Sequence, residues 1–293
     1  MSTPLAPVLA LLGVTAVWGS TFVVVKDAVG QMPVTDFLTW RFALATLAMV
    51  LLRPRAAFRL PAAGRRAGVL LGLALGAGYL LQTLGLQTTP ASVSGFLTGM
   101  FVVLTPLGAA ALLRTPPPPV AWAAVVVATA GLALLSLRGF SIGSGELLTL
   151  GCAAAFALHI VGLGRWAGAH DAYGLAVLQL ATTAGLCALV AVPGGLEVPP
   201  DGGVWAALAL TSLAATALAY VVQTWAQASL SPTRTAVVMT MEPVFALGFA
   251  VVVAGEAVGP RTLVGAALVL AAMLLTELGP RRGAEGAVER LEV

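Results

Sequence analysis

Tyr79-Leu80-Leu81-Gln82-Thr83 and Tyr220-Val221-Val222-Gln223-Thr224 are two copies of one pattern, Tyr-x-x-Gln-Thr, set 141 residues apart (220 − 79). At the same offset Pro119 falls on Pro260, so the register holds without a gap from position 79 to position 119. Upstream, Trp18 pairs with Phe156 and Arg41 with Gln179 at an offset of 138, which leaves three residues to be absorbed between Arg41 and Tyr79. A chain that repeats itself over such a length is a duplication, and its fold is the fold of one half taken twice.

Composition says where that duplication lives. Of 293 residues, 59% are hydrophobic and 9% charged, and the mean hydropathy is +0.99. Soluble domains carry about 25% charge, so this inventory cannot build a water-facing surface. Alanine, leucine and valine come in long runs rather than alternating with polar residues, which favours helices over a barrel. Windows of about 20 apolar residues place ten spans at 5–25, 34–52, 67–87, 91–113, 120–137, 146–164, 172–192, 204–227, 233–254 and 261–278. Proline and glycine punctuate the connections, as at Pro116 to Pro119 and at Pro199-Pro200-Asp201-Gly202-Gly203. The first span has no basic stretch ahead of it and nine others follow, so it reads as retained rather than as a signal peptide.

Basic residues set the expected orientation, since short cytoplasmic loops hold the excess of Lys and Arg. With the N-terminus inside, the cytoplasmic side receives Arg53, Arg55, Arg59, Arg65, Arg66, Arg114, Arg165, Arg234, Arg281, Arg282 and Arg290, and the outer side Lys26, Arg138 and Arg261. Both termini are then cytoplasmic. Five spans per half is odd, so the second half enters the membrane upside down relative to the first. The expectation is an all-α membrane protein of ten transmembrane helices in two inverted five-helix repeats, 5–137 and 146–278, with a short cytoplasmic tail at 279–293. Inverted repeats recur in secondary transporters, which bind solute near the bilayer midplane between the halves.

The net charge of +3 and pI near 9.3 do not point to nucleic acid, because the basic residues are spread between the spans. Cys152 and Cys187 lie in apolar runs without metal-ligand spacing, and no cofactor or metal is expected. Small residues every fourth position, at Gly68, Gly72 and Gly76 and at Gly95 and Gly99, mark close helix packing, within the chain or in a homodimer.

A charge in hydrocarbon costs about 2.5 to 3.5 kcal/mol on insertion scales, so each one in a span calls for an explanation. Glu242 lies roughly 14 Å from the near end of its helix and about 18 Å from the far one. Pro243 follows it, has no N–H, and leaves the Met239 carbonyl without its helical partner, which bends the helix. A carboxylate there suits a cation or a proton; it is equally suited to bonding a neighbouring helix. Arg41 lies about 10 Å from the outer end of its span. It either reaches the interface, pairs with Asp36 or Glu242, or faces inward as a fork for a carboxylate.

Gln82 and Gln223 sit in opposite leaflets, as a two-fold axis in the membrane plane requires, with Tyr79 and Tyr220 one turn away on the same faces. Trp18 and Thr21 in the first span, and Phe101, which matches Glu242 in the other half, offer further walls for a cavity. His159 matches Thr21 and Gln179 matches Arg41; a lone imidazole in an apolar helix is more often packed than functional. The solute-binding candidates are therefore Trp18, Thr21, Arg41, Tyr79, Gln82, Phe101, His159, Gln179, Tyr220, Gln223 and Glu242.

Trp18-Gly19-Ser20-Thr21-Phe22 closing on Lys26, Arg41-Phe42, Phe96-Leu97-Thr98-Gly99 running to Pro106, Glu242-Pro243 and Gly255-Glu256 resemble, in their order and spacing, the EamA-type branch of the drug/metabolite transporter superfamily. The resemblance runs from Leu5 to Leu278. It implies a ten-helix inverted-repeat transporter of the bacterial inner membrane, commonly an exporter of amino acids or other small metabolites. Two departures bear on specificity. Phe156 stands where the second half often has Trp, and Arg114-Thr115 replaces an acidic residue.

The expected function is secondary transport of a small-molecule solute across the lipid bilayer by alternating access, driven by membrane potential or a proton gradient, since no GxxxxGK[ST] is present to bind ATP. Efflux of a drug or quaternary amine with Glu242 as counter-ion is the alternative. A membrane-embedded lipid enzyme would need clustered His, Asp or Glu, and His159 and His170 stand without an HExxH.

Overall fold

The computed structural model describes residues 5–89, 94, 97–114, 116–136, 143–254 and 259–278. Of the positions singled out above, Gly95, Phe96, Thr115, Arg138, Gly255, Glu256 and the tail 279–293 lie outside the described residues, as do the side chains of Phe22 and Lys26.

The described residues contain helices and no strands. In chain order they are α1 (Leu5–Val29), α2 (Val34–Leu52), α3 (Ala62–Leu86), α4 (Phe101–Leu113), α5 (Pro119–Ser136), α6 (Ser144–Trp166), α7 (Ala172–Ala191), α8 (Gly202–Ser212), a π-helical segment Leu213–Leu218, α9 (Ala219–Gln227), α10 (Pro232–Met239), α11 (Glu242–Ala254) and α12 (Pro260–Leu278). A helix therefore falls at each of the ten expected spans. Five helical stretches are long and apolar enough to cross a membrane: Val34–Leu52, Ala62–Leu86, Ser144–Ala169, Ala172–Gly194 and Gly202–Gln227. Shorter apolar stretches lie at Leu5–Thr21, Leu97–Leu113, Pro119–Leu134 and Pro260–Leu275.

Local chemistry sets several helix starts. Asp171 accepts from the Gly174 N–H at 2.6 Å and Asp201 from the Val204 N–H at 2.8 Å, each satisfying a donor that the first turn leaves open. Ser231 caps α10, with Pro232 at the first helical position where no N–H is needed.

The halves interlock. α3 lies between α6 and α7, α2 packs on α7, α5 on α12, and α1 on α9 and α11, so most helices of one half find their principal neighbours in the other. The glycines say how close and in which direction. A Cβ at Gly68 would stand 2.9 Å from Leu178, one at Gly72 2.5 Å from Thr182 and one at Gly76 2.9 Å from Leu186, so α3 and α7 run parallel. Gly85 abuts Gly145, whereas Gly162 abuts Leu71, so α3 and α6 run antiparallel. Of the two readings open for the small-residue stripe, packing within the chain is the one that holds at Gly68, Gly72 and Gly76, because α7 already covers it. With lipid as apolar as leucine, such backbone proximity is what holds helices together.

One large core cluster runs through both halves and includes Leu11, Phe37, Phe42, Leu132, Leu180 and Val269, all fully buried. Leu51, Leu52, Leu189, Leu218 and Val252 face outward, which in a bilayer is the lipid side.

Candidate functional site

Two chain breaks define the site. α10 ends at Met239 and α11 starts at Glu242, and the Thr240-Met241 turn between them is closed by Met241 N–H to Val238 O at 3.1 Å. Pro243, in the first turn of α11, supplies no donor to the Met239 carbonyl, which is the physical cause expected from the sequence. At the repeat-related place in the first half, residues 97–99 are helical, Met100 is a turn and α4 starts at Phe101. Both spans are discontinuous, and each new helix begins with the residue facing the cavity: Phe101 in one half, Glu242 in the other.

That cavity has a volume of about 80 Å³. Ten of the eleven candidate residues line it: Trp18, Thr21, Arg41, Tyr79, Gln82, Phe101, His159, Tyr220, Gln223 and Glu242. Gln179 does not reach it. It is fully buried behind His159, whose Nε2 lies 2.6 Å from Gln179 Oε1. The Gln179 amide donates to Thr224 Oγ1 at 3.0 Å, and Thr224 donates to the Tyr220 carbonyl at 2.7 Å. This chain of donors makes Gln179 Oε1 an acceptor, so Nε2 of His159 carries the proton and Nδ1 is left as an acceptor with no partner among the described residues. The lone imidazole is thus both packed and cavity-lining.

The repeat-related tyrosines meet. Tyr220 donates to the Tyr79 hydroxyl at 2.9 Å, their rings 6.4 Å apart and nearly perpendicular. Phe42 and Phe156 flank Tyr79 edge-on at 4.9 and 5.4 Å, and Trp18 tilts over Tyr220 at 5.7 Å. These rings form an aromatic wall to which both halves contribute. Gln82 donates to Thr98 Oγ1 at 3.2 Å. Gln223 donates to Gln227 Oε1 at 3.1 Å, and its own buried Oε1 has no hydrogen-bond partner among the described residues.

Arg41 faces inward, only 4% exposed, which decides between the readings the sequence left open. Its Nε donates to Thr216 Oγ1 at 2.8 Å and its Nη2 to the Ala215 carbonyl at 3.4 Å, while the guanidinium lies 5.1 Å from the Tyr79 ring centre. The pair with Asp36, one of the alternatives left open, does not form among the described residues. Asp36 instead accepts from the Glu197 N–H at 2.8 Å and from Thr35, fastening the loop before α8 to the start of α2. Nor does Arg41 bond Glu242, whose carboxylate has no hydrogen bond or ion pair among the described residues.

Sequence reasoning passed over Thr83, Thr98, Ile160 and Met239, which also line the cavity, and Thr216, which holds Arg41. The first two carried a signal, since Thr83 closes the Tyr-x-x-Gln-Thr repeat and Thr98 lies in a quoted motif. Nothing local marked Thr216.

Comparison with known proteins gives a consistent outcome. The model of the EamA-like transporter family matches twice, over residues 5–137 and 143–278. A relative from Archaeoglobus fulgidus, described as an uncharacterized transporter, is 32% identical over 271 residues, 92% of this chain and 85% of its own. A crystal structure of a protein 20% identical superposes with a TM-score of 0.79 over 99% of this chain and 100% of that one, a likeness of fold.

Proposed function

The chain belongs to the EamA-like transporter family, and we propose that it exports a small polar or amphipathic metabolite through the cavity between its halves by alternating access. The observation that carries this reading is the Glu242 carboxylate, which has no hydrogen bond or ion pair among the described residues, sits at the break of a discontinuous span and lines a cavity to which both halves contribute. Broken helices at a midplane cavity are how secondary transporters present backbone and side-chain groups to a solute.

The registers of α3 support inverted halves. It runs parallel to α7, and the next span turns back from α7, so α3 and its repeat mate oppose one another. The excess of arginine on one set of loops supports cytoplasmic termini in a cell (inner) membrane.

The chemistry of the cavity supports a solute with an N–H-bearing cation. Among the described residues, its second-half side offers acceptors that no donor engages, the Glu242 carboxylate and Nδ1 of His159, with Gln223 Oε1 buried and likewise unbonded. A primary ammonium brings three donors to such a set, with the aromatic wall beside it for the rest of an amphipathic molecule. Amino acids fit this description. A quaternary amine would use the wall and the charge but would leave the acceptors unpaired, and buried unpaired acceptors cost about 1–3 kcal/mol each.

Purified protein in proteoliposomes, tested with labelled amino acids, primary amines and quaternary amines under an imposed membrane potential or proton gradient, examines the reading. Primary-ammonium solutes should move and Glu242→Gln should stop them. Movement no faster than in empty vesicles across the whole panel would reject transport, and a preference for quaternary amines would favour drug efflux instead.

A further inference from the structure

The eighth span is not a plain α-helix, and the reason lies in the first half. Between α8 and α9, residues Leu213–Leu218 form a π-helical segment. An α-helical Ala219 N–H would donate to Ala215 O; here it donates to the carbonyls of Ala214 and Thr216 and passes over the one between them. The Ala215 carbonyl so released accepts the Trp18 indole N–H at 2.7 Å and Nη2 of Arg41 at 3.4 Å, while Nε of Arg41 takes the neighbouring Thr216 hydroxyl at 2.8 Å. Two side chains from α1 and α2 thus satisfy the backbone group that the π segment strands.

The first half has no such arrangement. Its corresponding helix, α3, is α-helical throughout. The residues matching Trp18 and Arg41 are Phe156, which has no N–H, and Gln179, which is committed to His159 and Thr224. A π segment holds one residue more than the α turn it replaces, so it absorbs part of the three-residue difference between the halves. That extra residue is worth about 100° of helical rotation. Without it, the side chains following the segment would turn away from the cavity.

We propose that Trp18 and Arg41 are positioning residues: by holding the π segment they aim Tyr220 and Gln223 into the cavity, rather than serving chiefly as ligands of the solute. The transport consequence rests on the cavity being the solute site; the positioning itself does not. Arg41 commits two of its five N–H donors, on Nε and Nη2, to the eighth span and lays its face against Tyr79, so this side of the guanidinium is spent on holding the segment.

The test uses full-length protein in nanodiscs with Cys152→Ala and Cys187→Ala, carrying either Gln223→Cys or Gln82→Cys, and measures the rate of modification by N-ethylmaleimide. Trp18→Phe and Thr216→Val, each removing one side of the clamp, should slow modification at Gln223→Cys about tenfold, the worth of one lost hydrogen bond, and leave Gln82→Cys unchanged. Arg41→Lys should fall between Arg41→Gln and the parent. A merely stabilising role would speed modification at both cysteines, and rates at Gln223→Cys unaltered by all the clamp variants would equally overturn the proposal. No solute enters the measurement, so a protein that transports nothing in vesicles still answers it.

Discussion

Gly72→Ala tests the packing on which the site depends. The added methyl would stand 2.5 Å from the Gln179 carbonyl oxygen and 2.5 Å from Thr182 Cβ, where ordinary contact begins near 3.4 Å. One of the obstructing atoms is backbone and cannot rotate aside, so α3 and α7 must separate by about 0.9 Å (3.4 − 2.5). Overpacking of this kind costs about 1–3 kcal/mol. The displacement falls on the residue that holds His159 at 2.6 Å and Thr224 at 3.0 Å, and it strains the 3.0 Å bond from Thr183 Oγ1 to the Gly72 carbonyl. Reversible unfolding by SDS in bicelles should show that loss, with vesicle transport reduced in parallel. Gly185→Ala, on the helix facing Gly72 but with nothing within 4 Å of the new methyl, is the control and should be stabilising by about 0.5–1 kcal/mol, because alanine loses less freedom in a helix. Equal stability of Gly72→Ala and the parent protein would refute the parallel α3–α7 contact as drawn.

Three further outcomes follow from the site. Tyr79→Phe and Tyr220→Phe in a double-mutant cycle should couple by about 0.5–1.5 kcal/mol, since Tyr220 donates to Tyr79; additivity of the two would mean the hydroxyls do not meet. Gln179→Leu should cost about 1–3 kcal/mol by stranding the His159 N–H, and a histidine NMR spectrum unmoved by the substitution would argue against that bond. Glu242→Gln should abolish transport while leaving unfolding within about 0.5 kcal/mol of the parent, as for a site without a broken contact; a large loss of stability would assign the carboxylate a structural bond.

Much of the site was legible in one dimension. The Tyr-x-x-Gln-Thr repeat led to Tyr79, Gln82, Tyr220 and Gln223, and the cost of a charge in hydrocarbon led to Arg41 and Glu242; all six line the cavity. The break before Glu242 was legible too, because a proline acts on its own helix and needs no neighbour. Misreadings arose where a partner decided. Arg41 was as compatible with Asp36 as with a distant backbone carbonyl, and Gln179 looked like a cavity residue although it stands behind His159.

The sequence by itself determined that the chain is helical, apolar and written twice, because those properties depend on counts and on spacing along the chain. Only the tertiary structure decided which face of each helix turns inward, since in a bilayer both the core and the lipid side accept leucine and no polarity gradient sets the rotation. Arg41 and Trp18 find their acceptor 174 and 197 residues away, at a carbonyl released by the π segment. No local rule registers such a partner, because it exists only once the two halves are packed together.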